Sequence, residues 1–149
     1  MKDIYDDKYF MSKALDEANL AYDKGEVPIG AVIVVDKQII ARAHNLTETL
    51  NDVTAHAEMQ AITSAANYLG GKYLKDCTLY VTIEPCQMCA GALYWTQISK
   101  IVFGSRDEHR GCINLNTKLH PKTKIMGGIL EEESSKILKR FFVEKRNLN

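Results

Sequence analysis

The alternation of short apolar strands with helical segments is the sequence feature that most restricts the fold. Runs rich in β-branched, aromatic or continuously apolar residues predict strands, and spacings of three and four between apolar residues predict helices. The predicted strands are 31–35, 38–43, 77–83, 100–104 and a short edge strand at 124–126. The predicted helices are 5–24, 55–68, 85–94 and 131–146. This order predicts an α/β fold of three layers, α/β/α, with a sheet between helices.

The helix starts are also predicted from sequence signals. Asp52 or Thr54 is placed to cap the second helix, and Pro85 suits the first turn of the third. We find no repeat, low-complexity tract or linker, so a single domain spanning 1–149 is expected.

Composition excludes several classes of protein. A chain of 149 residues that is 46% hydrophobic and 26% charged can form an ordinary core, which argues against disorder, collagen-like repeats and disulfide scaffolds. No apolar run approaches the roughly 20 residues of a membrane span, and the first ten residues are acidic where a signal peptide is basic and then apolar. We therefore expect a cytoplasmic protein with no membrane partner. Its four cysteines are then metal ligands, catalytic groups or core residues rather than disulfides.

The net charge of zero hides a gradient along the chain. Residues 1–99 carry 8 Lys and Arg against 13 Asp and Glu, a net charge of −5, whereas residues 100–149 carry 11 against 6, a net charge of +5. Such asymmetry is typical of a surface that faces a polyanion, and equally of a solvated helical face followed by a basic tail. Charge alone leaves both interpretations open.

Four residues at two predicted helix starts carry the chemistry. Cys86 and Cys89 are three apart, so they project from one face of a helix, and the positive end of the helix favours the thiolate form that binds zinc. His56 supplies a third ligand, and three protein ligands leave a position for water, as catalytic zinc sites do. Glu58 follows His56 by two residues, so on a helix the two side chains project from different sides and cannot both bind the metal. Glu58 is therefore predicted to lie beside that water, as general base and then general acid.

A lone Cys-x-x-Cys also suits a redox dithiol or a structural metal site. The redox interpretation leaves His56 and Glu58 unexplained, whereas His-x-Glu followed by Pro-Cys-x-x-Cys matches the zinc-deaminase signature. Of the other cysteines, Cys77 is expected to be a core thiol and Cys112 a free, non-catalytic one. In the Phe141-Phe142 pair, one ring is expected to pack into the core.

These motifs resemble those of the bacterial tRNA-specific adenosine deaminases, within the cytidine deaminase-like superfamily. The resemblance covers residues 8–107 and the last helix. The matching stretches are 25–32, Asn45, 52–58, 78–92, 102–107 and 141–146. It implies a cytidine deaminase-like fold with a mixed five-stranded sheet, and a homodimer with each pocket near the subunit interface.

The resemblance also implies roles for individual residues. One zinc ion per subunit would be bound by His56, Cys86 and Cys89, and Glu58 would shuttle protons. The substrate contacts would be Asn45 on the purine edge, Ile29 and Ile83 on the pocket walls, and Asp107 at the nucleotide or its sugar. The implied reaction is hydrolysis of adenosine to inosine at the wobble position of a tRNA anticodon, with the base turned out of its loop.

Two other functions remain open from the sequence. A deaminase of free bases or nucleosides, such as guanine, cytosine or adenosine, needs the same zinc residues but no basic surface, and Tyr94-Trp95 resembles guanine deaminases of the same superfamily. A zinc-stabilised RNA-binding module without catalysis would need neither Glu58 nor an incomplete ligand set. The basic C-terminal third favours a tRNA substrate.

Overall fold

The computed structural model describes residues 3–148 as a sheet with helices on both faces. The helices are α1 (Asp7–Asp23), α2 (Ala57–Leu69), α3 (Gln87–Thr96) and α4 (Glu131–Asn147). The strands are β1 (Gly30–Val35), β2 (Gln38–His44), β3 (Thr78–Ile83), β4 (Lys100–Ser105) and β5 (Lys124–Met126). The predicted elements are all present, including the short fifth strand. None of the helices in this part of the chain has the length and apolarity that crossing a bilayer requires.

The sheet is mixed, with strand order β2-β1-β3-β4-β5. β1 is antiparallel to both β2 and β3, whereas β3, β4 and β5 run parallel. The ends of β3 and β4 and the start of β1 therefore meet at one edge of the sheet. The segments that follow β3 and β4 and the segment that precedes β1 all leave from that edge, which is where a site can form from distant parts of the chain.

Side chains of β1 alternate between the two faces of the sheet. Ala31 and Ile33 pack with α2 and α3 in one apolar cluster, and Val32 and Val34 pack with α1 in the other. Because the helices occupy both faces, the molecule has the predicted three layers. Gly30 allows α1 to lie close against the start of β1, since a Cβ at this position would lie 2.0 Å from the Ala14 carbonyl oxygen of α1.

The predicted helix starts need correction. His56 is the N-cap of α2 and makes no side-chain cap bond, because Asp52 instead accepts hydrogen bonds from the N–H and hydroxyl of Thr54 within the preceding loop. Cys86 is the N-cap of α3, so this helix begins at Gln87 rather than at Pro85. A β-bridge to Gly111 holds Cys86 in extended backbone just before the helix.

The remaining cysteine and phenylalanine predictions agree with the packing. Cys77 is fully buried in the apolar cluster beneath α2 and α3, as predicted for a core thiol. Cys112 is also buried and free, and its surroundings raise its pKa to about 11, chiefly by burial. Phe141 packs inward against Tyr22 while Phe142 is exposed, so one ring of the pair lies in the core.

Candidate metal centre and its cavity

Two helix starts meet at the edge of the sheet and bring the predicted metal donors together. β3 delivers the chain to Cys86 at the N-cap of α3, and Cys89 lies in the first turn of that helix. His56 is the N-cap of α2. Both helices point their positive ends at this place, and that field favours thiolate and other anionic groups. Histidine and cysteine thus stand where Ser, Asp or Asn would ordinarily cap a helix.

The donor atoms have the spacing of a tetrahedral metal site. The Nδ1 atom of His56 lies 3.6 Å from Sγ of Cys86 and 3.5 Å from Sγ of Cys89, and all three ligand atoms lie within 4.8 Å of one another. Tetrahedral zinc with its usual bonds to sulfur and nitrogen requires a separation of about 3.6 Å between those atoms. One nitrogen and two sulfurs are also donors that zinc prefers, so the residues present fit this ion.

Hydrogen bonding and burial change the acidity of the cluster. The hydrogen bond from Cys89, together with that from His56, lowers the pKa of Cys86 to about 4. The same contact with Cys86, together with burial, raises the pKa of Cys89, and the contact with Cys86 also raises the pKa of His56. Cys86 therefore carries a thiolate at neutral pH, which is the form a metal binds.

Glu58 lies beside the cysteine pair in the first turn of α2 and is almost fully buried. Burial disfavours its charged form and raises its pKa to about 7. With such a pKa, the carboxyl group is protonated in some molecules and ionised in others near neutral pH, so it can both accept and return a proton. Glu58 therefore has the property that a general acid and base needs.

A cavity of about 1110 Å³ opens beside the metal donors. Its lining includes His56 and all four residues predicted to contact substrate, which are Ile29, Asn45, Ile83 and Asp107. Asn45 is buried, and its side-chain oxygen Oδ1 has no hydrogen-bond partner among residues 3–148. An unpartnered buried amide is costly unless a ligand pairs with it, so this wall of the cavity is suited to a polar ligand edge.

Two loops line the cavity. Two buried carboxylates, which were not predicted from the sequence, accept hydrogen bonds from the backbone of these loops. We name the residues 46–53 the first loop and the residues 106–113 the second loop. Glu26 accepts hydrogen bonds from backbone N–H groups of the first loop, and Glu84 does the same for the second. Each glutamate stands next to an apolar run or a proline in the sequence, and a charge in such a setting is the signal that could have pointed to it.

Basic residues from the C-terminal third reach the rim of the cavity. Arg106 and Arg110 of the second loop and Lys139 of α4 are part of its lining. An adjoining cavity of about 630 Å³ shares Lys139 and adds Lys145 and Arg146. Five basic residues of the C-terminal third therefore line the two cavities, although the first cavity also has acidic residues in its lining, which are Glu48, Asp52, Asp107 and Glu108.

The fold and the metal donors together define a zinc-dependent hydrolytic deaminase. The family model for the cytidine and deoxycytidylate deaminase zinc-binding region matches residues 4–105, and the chain belongs to this family. The match confirms the predicted zinc cofactor and enzyme class, and the five-stranded mixed sheet between helices confirms the predicted fold class.

Individual relatives show which kinds of deaminase this chain is similar to. The tRNA-specific adenosine deaminase of Bacillus subtilis is 47% identical over 146 residues, which is 94% of this chain and 91% of that protein. A solved structure from work on A-to-I editing by tRNA:A34 deaminases is 42% identical, has a TM-score of 0.82, and covers 87% of this chain and 99% of its own. A guanine deaminase structure from Bacillus subtilis is also 42% identical, but it has a TM-score of 0.62 and covers 65% of this chain and 62% of its own.

Proposed function

We propose that this protein converts adenosine to inosine at the wobble position of a tRNA anticodon. The observation that carries the proposal is the cluster of metal donors, with Glu58 against Cys89, at a cavity that His56 lines and to which Arg106, Arg110 and Lys139 contribute positive charge. The relatives named above add support, since the similarity to a tRNA-specific deaminase extends over nearly the whole of both chains. The similarity to the guanine deaminase structure covers less of each chain.

In this proposal His56, Cys86 and Cys89 hold one zinc ion per subunit, and the whole chain works as one deaminase domain. Zinc bound there would supply a water of lowered pKa. Glu58 would accept a proton from that water and donate it to N1 of adenine as the water oxygen bonds to C6. It would then transfer the second water proton to the amino group, so that the C6–N bond breaks and ammonia leaves. Its burial beside the cysteines keeps the carboxyl group within reach of the reacting atoms and away from bulk solvent.

The cavity lining recognises the base. Ile29 and Ile83 provide apolar contact for the purine, and the unpartnered amide of Asn45 hydrogen-bonds its edge. Asp107, which lines the cavity on the second loop, contacts the nucleotide or its sugar. An anticodon base is already in a single-stranded loop, so turning it into the cavity costs little.

Basic side chains of the two cavities bind the RNA backbone around that base. Arg106, Arg110 and Lys139 line the cavity, and the groove continues to Lys145 and Arg146. Such groups neutralise phosphates and supply affinity that falls as salt rises. Exposed Phe142 lies between the two cavities and offers a ring on which a neighbouring base can stack. A free nucleobase would use none of these groups.

A cytoplasmic homodimer is part of the same proposal. Two apolar side chains on the first loop are largely exposed, Leu50 at 52% and Val53 at 83%, and Val53 also lines the cavity. Trp95 at the end of α3 is 76% exposed. A second copy of the chain that covered such groups would remove them from water and close the site. Light scattering coupled to size exclusion should then give twice the chain mass of 16.8 kDa.

The decisive experiment separates the tRNA substrate from a free base. The zinc-loaded protein is incubated with an anticodon stem-loop bearing adenosine at the wobble position, with the same stem-loop bearing guanosine there, and with free guanine, cytosine and adenosine. Inosine and ammonia are then measured. We expect product from the adenosine stem-loop alone. Ammonia from a free base, with an inert stem-loop, would refute the tRNA assignment and support the alternative of a free-base or nucleoside deaminase.

A further inference from the structure

Two buried carboxylates outside the metal centre have a common arrangement. We propose that Glu26 and Glu84 are positioning residues for the deamination, each holding one of the two loops that line the cavity. The inference rests on the proposed function only for the identity of the substrate. The hydrogen bonds of Glu26 and Glu84 to the loops are present in the structure whatever the substrate is.

Glu26 clamps the first loop. Its side chain is 0% exposed. Its Oε1 accepts from the backbone N–H of Glu48 at 3.0 Å, and its Oε2 accepts from the backbone N–H of Thr49 at 2.7 Å. Burial raises the pKa of this carboxyl group, but the hydrogen bonds from Thr49 and Glu48 outweigh it and leave the pKa below its ordinary value. The group is therefore an anion that uses both oxygens on loop backbone.

Glu84 clamps the second loop, also with both of its carboxylate oxygens. It is 2% exposed, and its Oε1 and Oε2 accept from the backbone N–H groups of Asp107 at 3.2 Å and Ile113 at 2.9 Å. Gly111 makes this close approach possible, since a Cβ at that position would lie 2.3 Å from Oε2 of Glu84. The carboxylate thus spans the loop from one end to the other.

The clamped loops carry groups that line the cavity, and each loop also touches a metal donor. Gly111 of the second loop bridges to Cys86, and the backbone of Val53 in the first loop hydrogen-bonds His56. Asn51, Asp52 and Val53 of the first loop, and Asp107 and Arg110 of the second, line the cavity. The donors are held by the starts of α2 and α3. Each loop places several groups on the cavity and touches a metal donor at one side, so loosening it should affect substrate binding first and the chemical step to a smaller extent.

A glutamine cannot replace either clamp. A carboxylate presents two acceptors, whereas the amide presents one acceptor and an NH₂ donor. In a Glu26→Gln variant the NH₂ group would face a backbone N–H, which removes one hydrogen bond and leaves a buried donor unpaired. The substitution changes few atoms, so it tests the charge and the acceptors rather than the packing.

The test compares Glu26→Gln and Glu84→Gln with Glu132→Gln, which is exposed at the start of α4. Each protein is loaded with zinc, its zinc content is measured, and kcat and KM are determined with the adenosine stem-loop. We expect KM to rise about tenfold for each clamp variant, with kcat within threefold of the parent and one zinc per chain. The Glu132→Gln control should match the parent protein in both constants.

Amide hydrogen exchange provides a readout that needs no substrate. In the parent protein the amides of Glu48, Thr49, Asp107 and Ile113 should be protected. In each clamp variant the two amides of its own loop should exchange about tenfold faster, while those of the other loop stay unchanged.

The outcomes separate the clamp from the proposed function. If these four amides exchange in the parent protein as fast as unprotected amides, the inference is overturned. Variants whose KM and exchange rates equal those of the parent would also overturn it. The exchange in the parent decides the matter even if a variant does not fold. If the parent protein does not deaminate the stem-loop, the proposed function fails, and exchange still decides whether the carboxylates hold the loops.

Discussion

Gly30 allows α1 to lie against the start of β1, and a single methyl group there should separate them. In a Gly30→Ala variant the new Cβ would lie 2.0 Å from the carbonyl oxygen of Ala14 and 2.4 Å from the backbone nitrogen of Ala18, where ordinary contact begins at 3.4 Å. Both obstacles are backbone atoms, so no side-chain rotation relieves them and the helix must move by more than 1 Å.

The cost of that movement follows from what α1 buries. Met11, Ala14, Ala18 and Ala21 are fully buried against the sheet and lose contact when the helix shifts. Overpacking of a core costs 1–3 kcal/mol, and rigid obstacles place this case at about 3 kcal/mol. For a chain of this length each kcal/mol shifts Tm by 2–4 °C, so we expect a fall of about 6–12 °C.

Thermal unfolding followed by circular dichroism measures the shift. Gly71→Ala is the matched control, because a Cβ at Gly71 has no non-neighbouring atom of the described part of the chain within 4 Å and the backbone there is not left-handed. That variant should unfold at the parent temperature or slightly above it. A Gly30→Ala protein whose Tm lies within about 2 °C of the parent would show that the helix does not rest on this glycine.

Three further outcomes test the site and the fold. Glu58→Gln should keep zinc, by metal analysis, and lose about 10²–10⁴-fold in turnover; near-parental turnover would exclude a role in proton transfer. Replacing Lys145 and Arg146 with Ala should reduce the slope of log affinity against log salt for the stem-loop by about 0.7 per lost phosphate contact, and an unchanged slope would place the RNA elsewhere. Asp6→Ala removes the N-cap bond to the N–H of Tyr9 and should lower the free energy of unfolding by about 1 kcal/mol in urea titration, whereas Asp6→Asn should retain most of it.

The layered fold could be predicted because its signals are local. The stripe of Met11, Ala14 and Ala18 and the apolar run of β1 each reflect burial of one element against its neighbours, and both are preserved in the structure. The metal donors could be predicted for a similar reason, since His56 and Cys86 each stand in a short motif at a helix start. The antiparallel pairing of β1 with β3 and the parallel pairing of β3 with β4 depend on contacts between distant segments, and only the family resemblance supplied a mixed sheet.

The helix starts and the loop clamps could not be predicted from local rules. Capping preferences assign Asp52 or Thr54 to the start of α2, but the N-cap of this helix is His56, a metal donor whose type the capping rule does not favour. Glu26 reaches amides 22 and 23 residues away, and Glu84 reaches amides 23 and 29 residues away. A buried carboxylate meets such partners only when the chain has folded, so no rule based on sequence spacing predicts them.

The absence of a side-chain cap on α2 and α3 links the local stability of this edge to metal supply. Good capping residues stabilise a helix by about 1 kcal/mol each, and both of these helices begin on a metal donor without a cap bond. A ligand that binds only the folded form raises the free energy of opening in proportion to its own binding. Zinc limitation would therefore do more than lower the fraction of active molecules. It would also lower the local stability of the starts of α2 and α3 and make them more accessible to a protease.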